Sequence, residues 1–265
     1  GRIVGNITSG LLLGFLLSRP VASFLADYLG WRAVFLFAAA LMVIVTLVVF
    51  KTIPSRRPTH QASYGQLLAS LGHLFATLPT LRYRAFYQAM MFGSFSLFWT
   101  AVPVELTRIY GLSQTQIALF SLIGATGACS APLAGRLADA GYTVRATMVA
   151  LAVGVLAYAP ALAHPGWGMV GLVLTGIILD FAVQMNIVLS QREIYALDAT
   201  SRNRLNALFM TGIFIGGAIG SACASPLYEY GGWPAVSILA AIFPALALLH
   251  YLFIGRPHAI RQMAA

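Results

Sequence analysis

Residues 211–241 read TGIFIGGAIGSACASPLYEYGGWPAVSILAA. An apolar run with glycines at 212, 216, 217 and 220, a polar break at Glu229-Tyr230-Gly231-Gly232, and a second apolar run after Trp233-Pro234 predict two helices joined by a tight turn. The same pattern stands 202 positions earlier, at 9–39, as SGLLLGFLLSRPVASFLADYLGWRAVFLFAA. Ser9-Gly10 matches Thr211-Gly212, Gly14 matches Gly216, and Ala22-Ser23 matches Ala224-Ser225. Asp27-Tyr28 matches Glu229-Tyr230, Gly30-Trp31 matches Gly232-Trp233, and Ala33-Val34 matches Ala235-Val236. Isolated small-residue matches are common between membrane helices. An ungapped order running through the acid-Tyr and Gly-Trp pairs marks an internal repeat.

Working outward, the rest of the chain is built from the same material. Its 265 residues are 59% hydrophobic and 9% charged, with a mean hydropathy of +0.83. A soluble domain carries about 25% charged residues. A hydrocarbon core needs about 20 apolar residues per helical crossing, and eight such stretches recur, at about 7–25, 33–50, 85–106, 116–134, 146–162, 167–189, 205–227 and 235–254. The expected fold class is an all-α polytopic membrane protein with eight transmembrane helices.

The net charge of +9 does not mark a nucleic-acid partner, because the basic residues form no single patch. Arg2, Lys51, Arg56, Arg57, Arg82, Arg84, Arg136, Arg145, Arg192, Arg202, Arg204, Arg256 and Arg261 collect on one side of the predicted spans. Arg32 and Arg108 fall on the other, and Arg19 lies within the first span. That bias places both ends of the chain in the cytoplasm. Cys129 and Cys223 both fall inside apolar spans, which argues against a disulfide framework.

The polar stretch after Lys51 contains a further helical pattern. Leu67, Leu68, Leu71, Leu74, Phe75 and Leu78 follow a helical period over a length too short to span, predicting an amphipathic helix at the membrane surface. It joins a two-span block, residues 1–51, through a linker at 52–84, to a six-span block at 85–265. Both copies of the repeat run in the same direction, so the halves are parallel repeats about an axis normal to the membrane. A six-span second half implies a six-span first half, of which four spans have no counterpart here. The sequence is therefore expected to hold helices 5–12 of a twelve-helix fold, and to be unable to transport by itself.

Gly127, then Gly135-Arg136-Leu137-Ala138-Asp139-Ala140-Gly141 and Arg145, resemble the signature loop between the second and third helices of each half of the major facilitator superfamily. Leu179 to Gln184 leading to Gln191-Arg192-Glu193, and Arg202-Asn203-Arg204 followed by Gly212, Gly216-Gly217 and Gly220, are similar to the tenth and eleventh helices of its bacterial efflux-type members. The resemblance covers essentially the whole chain. It implies a gating loop in which Gly135 permits close packing and Asp139 pairs with Arg136 and Arg145. Ala140 and Tyr142 stand where the family often has a basic residue, and an ordinary topology-setting turn is the alternative. The resemblance also implies a monomeric secondary transporter in the bacterial inner membrane, acting on a small-molecule substrate with protons and the lipid bilayer as partners. It implies no cofactor and no enzymatic activity.

Asp180 is the sharpest single residue. A charged carboxylate at a span centre costs about 2.5–3.5 kcal/mol, and Gln184, Ile187 and Gln191 follow on its helical face. It is either a proton or cation site or a structural carboxylate satisfied by a neighbouring helix. Arg19, beside Pro20, either meets an anionic group or snorkels to the interface. Gln88, Phe92, Phe95 and Trp99 form a stripe at helical spacing that either lines a cavity or packs against a neighbour. Glu105 and Arg108 are spaced for a local ion pair. The five histidines are dispersed and no phosphate-binding Gly-x4-Gly-Lys motif occurs, so metal chemistry and ATP-driven transport have no support. The expected function is proton-coupled export of small amphipathic molecules. A sugar or metabolite importer, or a non-transporting membrane fragment, is the alternative.

Overall fold

The computed structural model describes residues 14, 17, 18, 20–52, 63–163 and 167–255. Most of the first expected span, Arg19 included, lies outside these residues. In chain order the helices are α1 (Trp31–Thr52), α2 (Tyr64–Thr77), α3 (Pro79–Arg108), α4 (Gln114–Ser121), a 3-10 run (Leu122–Cys129), α5 (Ser130–Asp139), α6 (Thr143–Leu156), α7 (Ala159–Leu162), α8 (Gly168–Leu197) and α9 (Arg202–His250). Residues 20–29 are also helical. No strand occurs among the described residues.

Five segments among the described residues are long and apolar enough to cross a bilayer: Trp31–Thr52, Pro79–Arg108, Thr143–Leu162, Gly168–Leu197 and Arg202–Gly255. The last contains both of the final expected spans. Gly232, at φ 61° and ψ −160°, divides it into two helices, and Pro234 follows at once. Gly30, the repeat partner of Gly232, also takes a positive φ of 81° immediately before its own Trp. A side chain with a Cβ rarely adopts that region, so both copies of the repeat turn at a glycine.

The expected span at 116–134 is not one continuous helix. It is broken into α4, the 3-10 run and α5. A 3-10 run of eight residues is unusual, because its side chains eclipse and its hydrogen bonds are poorer. Gly124 and Gly127 fall inside it, and both face α8 so closely that a Cβ would press on Asp180. Low helix propensity and this close approach together account for the departure.

The chain divides into two compact units, Gly1–Leu68 with Leu112–Leu122, and Ala69–Gly111 with Ile123–Ala265. In the first, none of the 22 residues of α1 is buried among the described residues. Ser113 and Gln116 cap α4 reciprocally, and the Thr115 hydroxyl donates to Asp27 at 2.7 Å.

The second unit is organised around α3. Along α9, Gly212 lies against Ala85, Gly216 against the Ala89 carbonyl and Gly220 against the Gly93 carbonyl. Both series advance by four residues, so α3 and the first part of α9 run parallel with their backbones nearly touching. Below this seam Leu81, Ala85, Ile194, Leu205, Phe209 and Ile213 form an apolar core. A second core joins Ala134 and Ala138 of α5, Ala146 and Ala150 of α6, and Met185 and Leu189 of α8.

Candidate functional site

Where α3 meets α8, the contacts are polar. The Arg84 guanidinium holds Glu193 through both oxygens, at 2.6 Å from Nε and 2.6 Å from a terminal nitrogen, and donates to the Thr147 hydroxyl at 2.8 Å. One step along, the Asn186 amide donates to Gln88 Oε1 at 2.6 Å, and Gln88 Nε2 reaches the Val183 carbonyl at 3.4 Å. Further still, Trp99 Nε1 donates to Asp180 Oδ1 at 2.9 Å. Residue numbers rise on α3 while they fall on α8, so these two helices are antiparallel.

Asp180 is 6% exposed. Trp99 covers one oxygen, and the 3-10 run covers the other. A Cβ on Gly124 would sit 2.7 Å from Asp180 Oδ2, and one on Gly127 would sit 3.0 Å from its backbone oxygen. Two glycines are thus what lets the broken helix close over a buried carboxylate. From Trp99 an aromatic series runs along α3. Phe95 lies 6.3 Å from Trp99, and Phe92 stacks on Phe95 at 5.3 Å and 15°. Phe214 of α9 meets Phe92 edge-on at 6.1 Å. Phe92 and Phe95 are half-buried, as is Gln184.

At Gln88 the structure shows the packed alternative. It is fully buried in the α3–α8 seam, with its oxygen and nitrogen engaged by Asn186 and Val183. The expected Glu105–Arg108 pair is not the one formed. Arg108 pairs with Glu229 at 2.7 Å, while Glu105 is buried and accepts from the Tyr228 hydroxyl at 2.7 Å.

The loop after α5 also chooses a different partner. Asp139 pairs with Arg192 of α8 at 2.5 Å, both side chains being exposed. Arg192 also points at the Gly135 carbonyl at 3.5 Å. Arg145 instead lies over the Tyr142 ring, 6.0 Å from its centroid, and Arg136 stands in the last turn of α5, one turn before Asp139. A Cβ on Gly135 would meet nothing within 4 Å among the described residues, so the close packing expected there belongs to Gly127. Gly141, at φ 79°, ends the helix: its N–H reaches the Ala138 carbonyl, and the Tyr142 N–H reaches that of Leu137.

Sequence reasoning missed Asn186 and the Arg84–Glu193–Thr147 cluster. Arg84 carried a signal, but as one of many basic residues setting topology. Nothing in its spacing shows that it turns inward to a carboxylate 109 residues away.

The family described as Major Facilitator Superfamily matches residues 1–196. The protein named Uncharacterized transporter YgaY of Escherichia coli O157:H7 is 36% identical over 250 residues, covering 94% of this chain and 63% of that relative. Putative uncharacterized transporter YgaY of Escherichia coli strain K12 gives the same identity and coverage. Probable transporter SCO4007 of Streptomyces coelicolor is 29% identical over 248 residues, covering 92% of this chain and 57% of the relative. The chain therefore spans less than two-thirds of the length of these relatives. With an all-helical, multi-span fold and a family match over most of its length, the chain belongs to the Major Facilitator Superfamily.

Proposed function

We propose that the protein is a secondary active transporter, coupling protons to the export of small amphipathic molecules by alternating access, with Asp180 as the proton-binding group. One observation carries this reading: a carboxylate buried within a membrane-spanning helix, hydrogen-bonded to the last ring of a half-buried aromatic series. Intramembrane acids are expensive and mark ion or substrate pathways. Here Trp99 links the two roles. Its N–H supports the charged carboxylate, and its ring ends the wall formed with Phe92 and Phe95. Protonation of Asp180 removes the charge that the indole N–H stabilises. A cation or an apolar substrate at the aromatic wall then meets a different field in each protonation state.

Family membership and the transporter names of the relatives support transport over enzymatic activity. In this reading, residues 1–51 are the last two helices of the first half, 52–84 the linker and 85–265 the complete second half. The eight spans correspond to helices 5–12, with both ends in the cytoplasm of a bacterial inner membrane and the protein acting as a monomer. The Asp139–Arg192 pair sits at the cytoplasmic ends of α5 and α8 and latches one alternating-access state. Gln88 steadies α3 against α8, and Gln184, one turn from Asp180 on α8, is the polar group beside the proton site.

The test is dye flux in proteoliposomes containing the full-length protein, with ethidium as the probe and an imposed pH gradient. Asp180→Asn is expected to abolish gradient-driven flux while leaving thermal unfolding nearly unchanged. Undiminished gradient-driven flux in that variant removes Asp180 from the coupling mechanism. Gradient-driven uptake of a sugar with no flux of the dye supports the importer reading instead.

A further inference from the structure

Between the Arg84 and Gln88 rungs of the α3–α8 seam, two fully buried polar atoms have no hydrogen-bond partner among the described residues: Asn186 Oδ1 and Ser190 Oγ. They belong to one face of α8, a single turn apart, which sets their Cβ atoms about 5–6 Å from each other. The Asn186 amide cannot be turned over to remove the first. Gln88 Nε2 is committed to the Val183 carbonyl, so Gln88 Oε1 faces Asn186 and takes its Nδ2 at 2.6 Å, leaving Oδ1 on the far side. Ser190 departs from the habit of other helical hydroxyls. Those of Thr46, Thr52, Thr77, Thr107 and Thr211 each donate to the carbonyl four residues back, at 2.7–2.8 Å, and that of Ser190 does not. Leaving either atom unpaired is costly, and two of them on one turn point to a shared ligand.

We propose that Asn186 and Ser190 hold an internal water molecule, which forms a further rung of the α3–α8 seam. The chemistry of the two atoms selects the ligand. Asn186 Oδ1 only accepts, so the ligand brings either a hydrogen or a positive charge, and an anion would meet that carbonyl oxygen with the wrong sign. A cation would lie within a turn of the Arg84 guanidinium, whose Glu193 countercharge is already held through both oxygens. Water meets every requirement. It donates to Asn186 Oδ1 and exchanges a hydrogen bond with Ser190 Oγ, and two bonds of about 2.8 Å reach across a helical turn. Arg84 can supply a third partner, because its bonds to Glu193 and Thr147 use three of its five N–H groups. Buried waters typically make about three such bonds. The way in is the Glu193 end of the seam, since Glu193 is 25% exposed while Arg84, Gln88, Asn186 and Ser190 are buried. With this water in place, polar contacts run unbroken from Glu193 to the Val183 carbonyl. The assignment stands independently of the transport reading.

Water-edited solid-state NMR of the full-length protein in lipid bilayers, isotope-labelled at asparagine nitrogen, reads the site directly. Magnetisation passes from water to the side-chain amide of any asparagine that water touches. The Asn186 signal, identified by its loss in Asn186→Asp, is expected to build up on the timescale of the amide of exposed Asn203. Ser190→Val puts a methyl group in place of the hydroxyl and a second one toward the water. It is expected to slow the Asn186 build-up several-fold and to leave Asn203 unchanged. Equal build-up in the parent and in Ser190→Val overturns the assignment. If either variant does not fold, the density of the unaltered protein decides, at a resolution that shows ordered water. A peak at hydrogen-bond distance from both Asn186 Oδ1 and Ser190 Oγ supports the site. No peak there, a direct bond between the two atoms, or a peak at the shorter distance of a metal ion, about 2.3–2.6 Å, each overturns it.

Discussion

The two faces of α3 are held by opposite means. Against α9 the contact is backbone on backbone: Gly216 and Gly220 sit where any Cβ would strike the carbonyls of Ala89 and Gly93. Against α8 it is side chain on side chain: Arg84–Glu193, Gln88–Asn186 and Trp99–Asp180 form successive polar rungs. The glycine seam joins parallel helices, has no charge and offers one close-packed arrangement. The polar seam joins antiparallel helices through groups that can exchange partners or protons. In a bilayer, apolar surface gains little by leaving lipid, so association falls to close packing and to hydrogen bonds. This bundle uses one device on each side of the same helix. The comparison teaches that close backbone packing leaves one arrangement, whereas hydrogen-bonded rungs have other partners to choose from.

The comparison breaks first at the polar seam. Arg84 is 3% exposed and Glu193 25%. Removing one partner of a buried pair leaves the other charge uncompensated, at a cost of about 3–5 kcal/mol. Arg84→Met is therefore expected to lower thermal stability in detergent most of all. The double variant Arg84→Met with Glu193→Met is expected to recover most of that loss. A double variant no more stable than the single one would show that the seam depends on the pair itself and not on neutralising it.

A smaller effect is expected at the glycine seam. Gly220→Ala places a methyl group against the Gly93 carbonyl, and forcing atoms into a filled interface costs about 1–3 kcal/mol. The internal control is Gly135→Ala, where a Cβ meets open space. In a helix interior the gain in propensity is about 1 kcal/mol, so this variant should be more stable than the parent. Equal melting temperatures for the two alanine variants would mean that the glycine seam is loose.

These seams also show what was legible in the sequence. Gly212, Gly216 and Gly220 could be read from spacing alone, because a four-residue stripe of small residues needs a close neighbour whichever helix supplies it. Asp180 was equally plain, as a charge inside an apolar run. Partner choice was not legible. Local spacing offers Arg108 to Glu105, and the family resemblance offers Arg136 and Arg145 to Asp139, but the bundle brings Glu229 to Arg108 and Arg192 to Asp139. Those pairings depend on which helices neighbour one another, and hydropathy carries no such information. For Gln88 and Trp99 the spacing left a cavity wall and a packed seam equally open, and only the neighbouring α8, which engages both, decides for the seam. The break at 122–129 was hidden because the segment is apolar enough for a span, while its backbone is set by closure over Asp180.

The smallest expected effect lies at the turn joining the helices of the two seams. Asp198 follows α8, and Ser201 precedes α9. The Thr200 N–H and hydroxyl both donate to Asp198 Oδ1, at 2.8 and 2.7 Å. Hydrogen bonds from the Ser201 hydroxyl and then from Thr200 favour the charged form and hold the carboxyl down to about 2, from an ordinary value of 3.8. A folded-state value below the unfolded one means that the charged form ties the turn. Its contribution is fully present above about pH 4 and is lost as pH falls through about 2. Asp198 is exposed, so the consequence is local: the amide protection factor of Thr200 should fall over that window and be low at every pH in Asp198→Ala. Protection that persists to the acid end would show that packing of α8 against α9 holds the turn, and that the two seams of α3 are joined more rigidly than their separate chemistries imply.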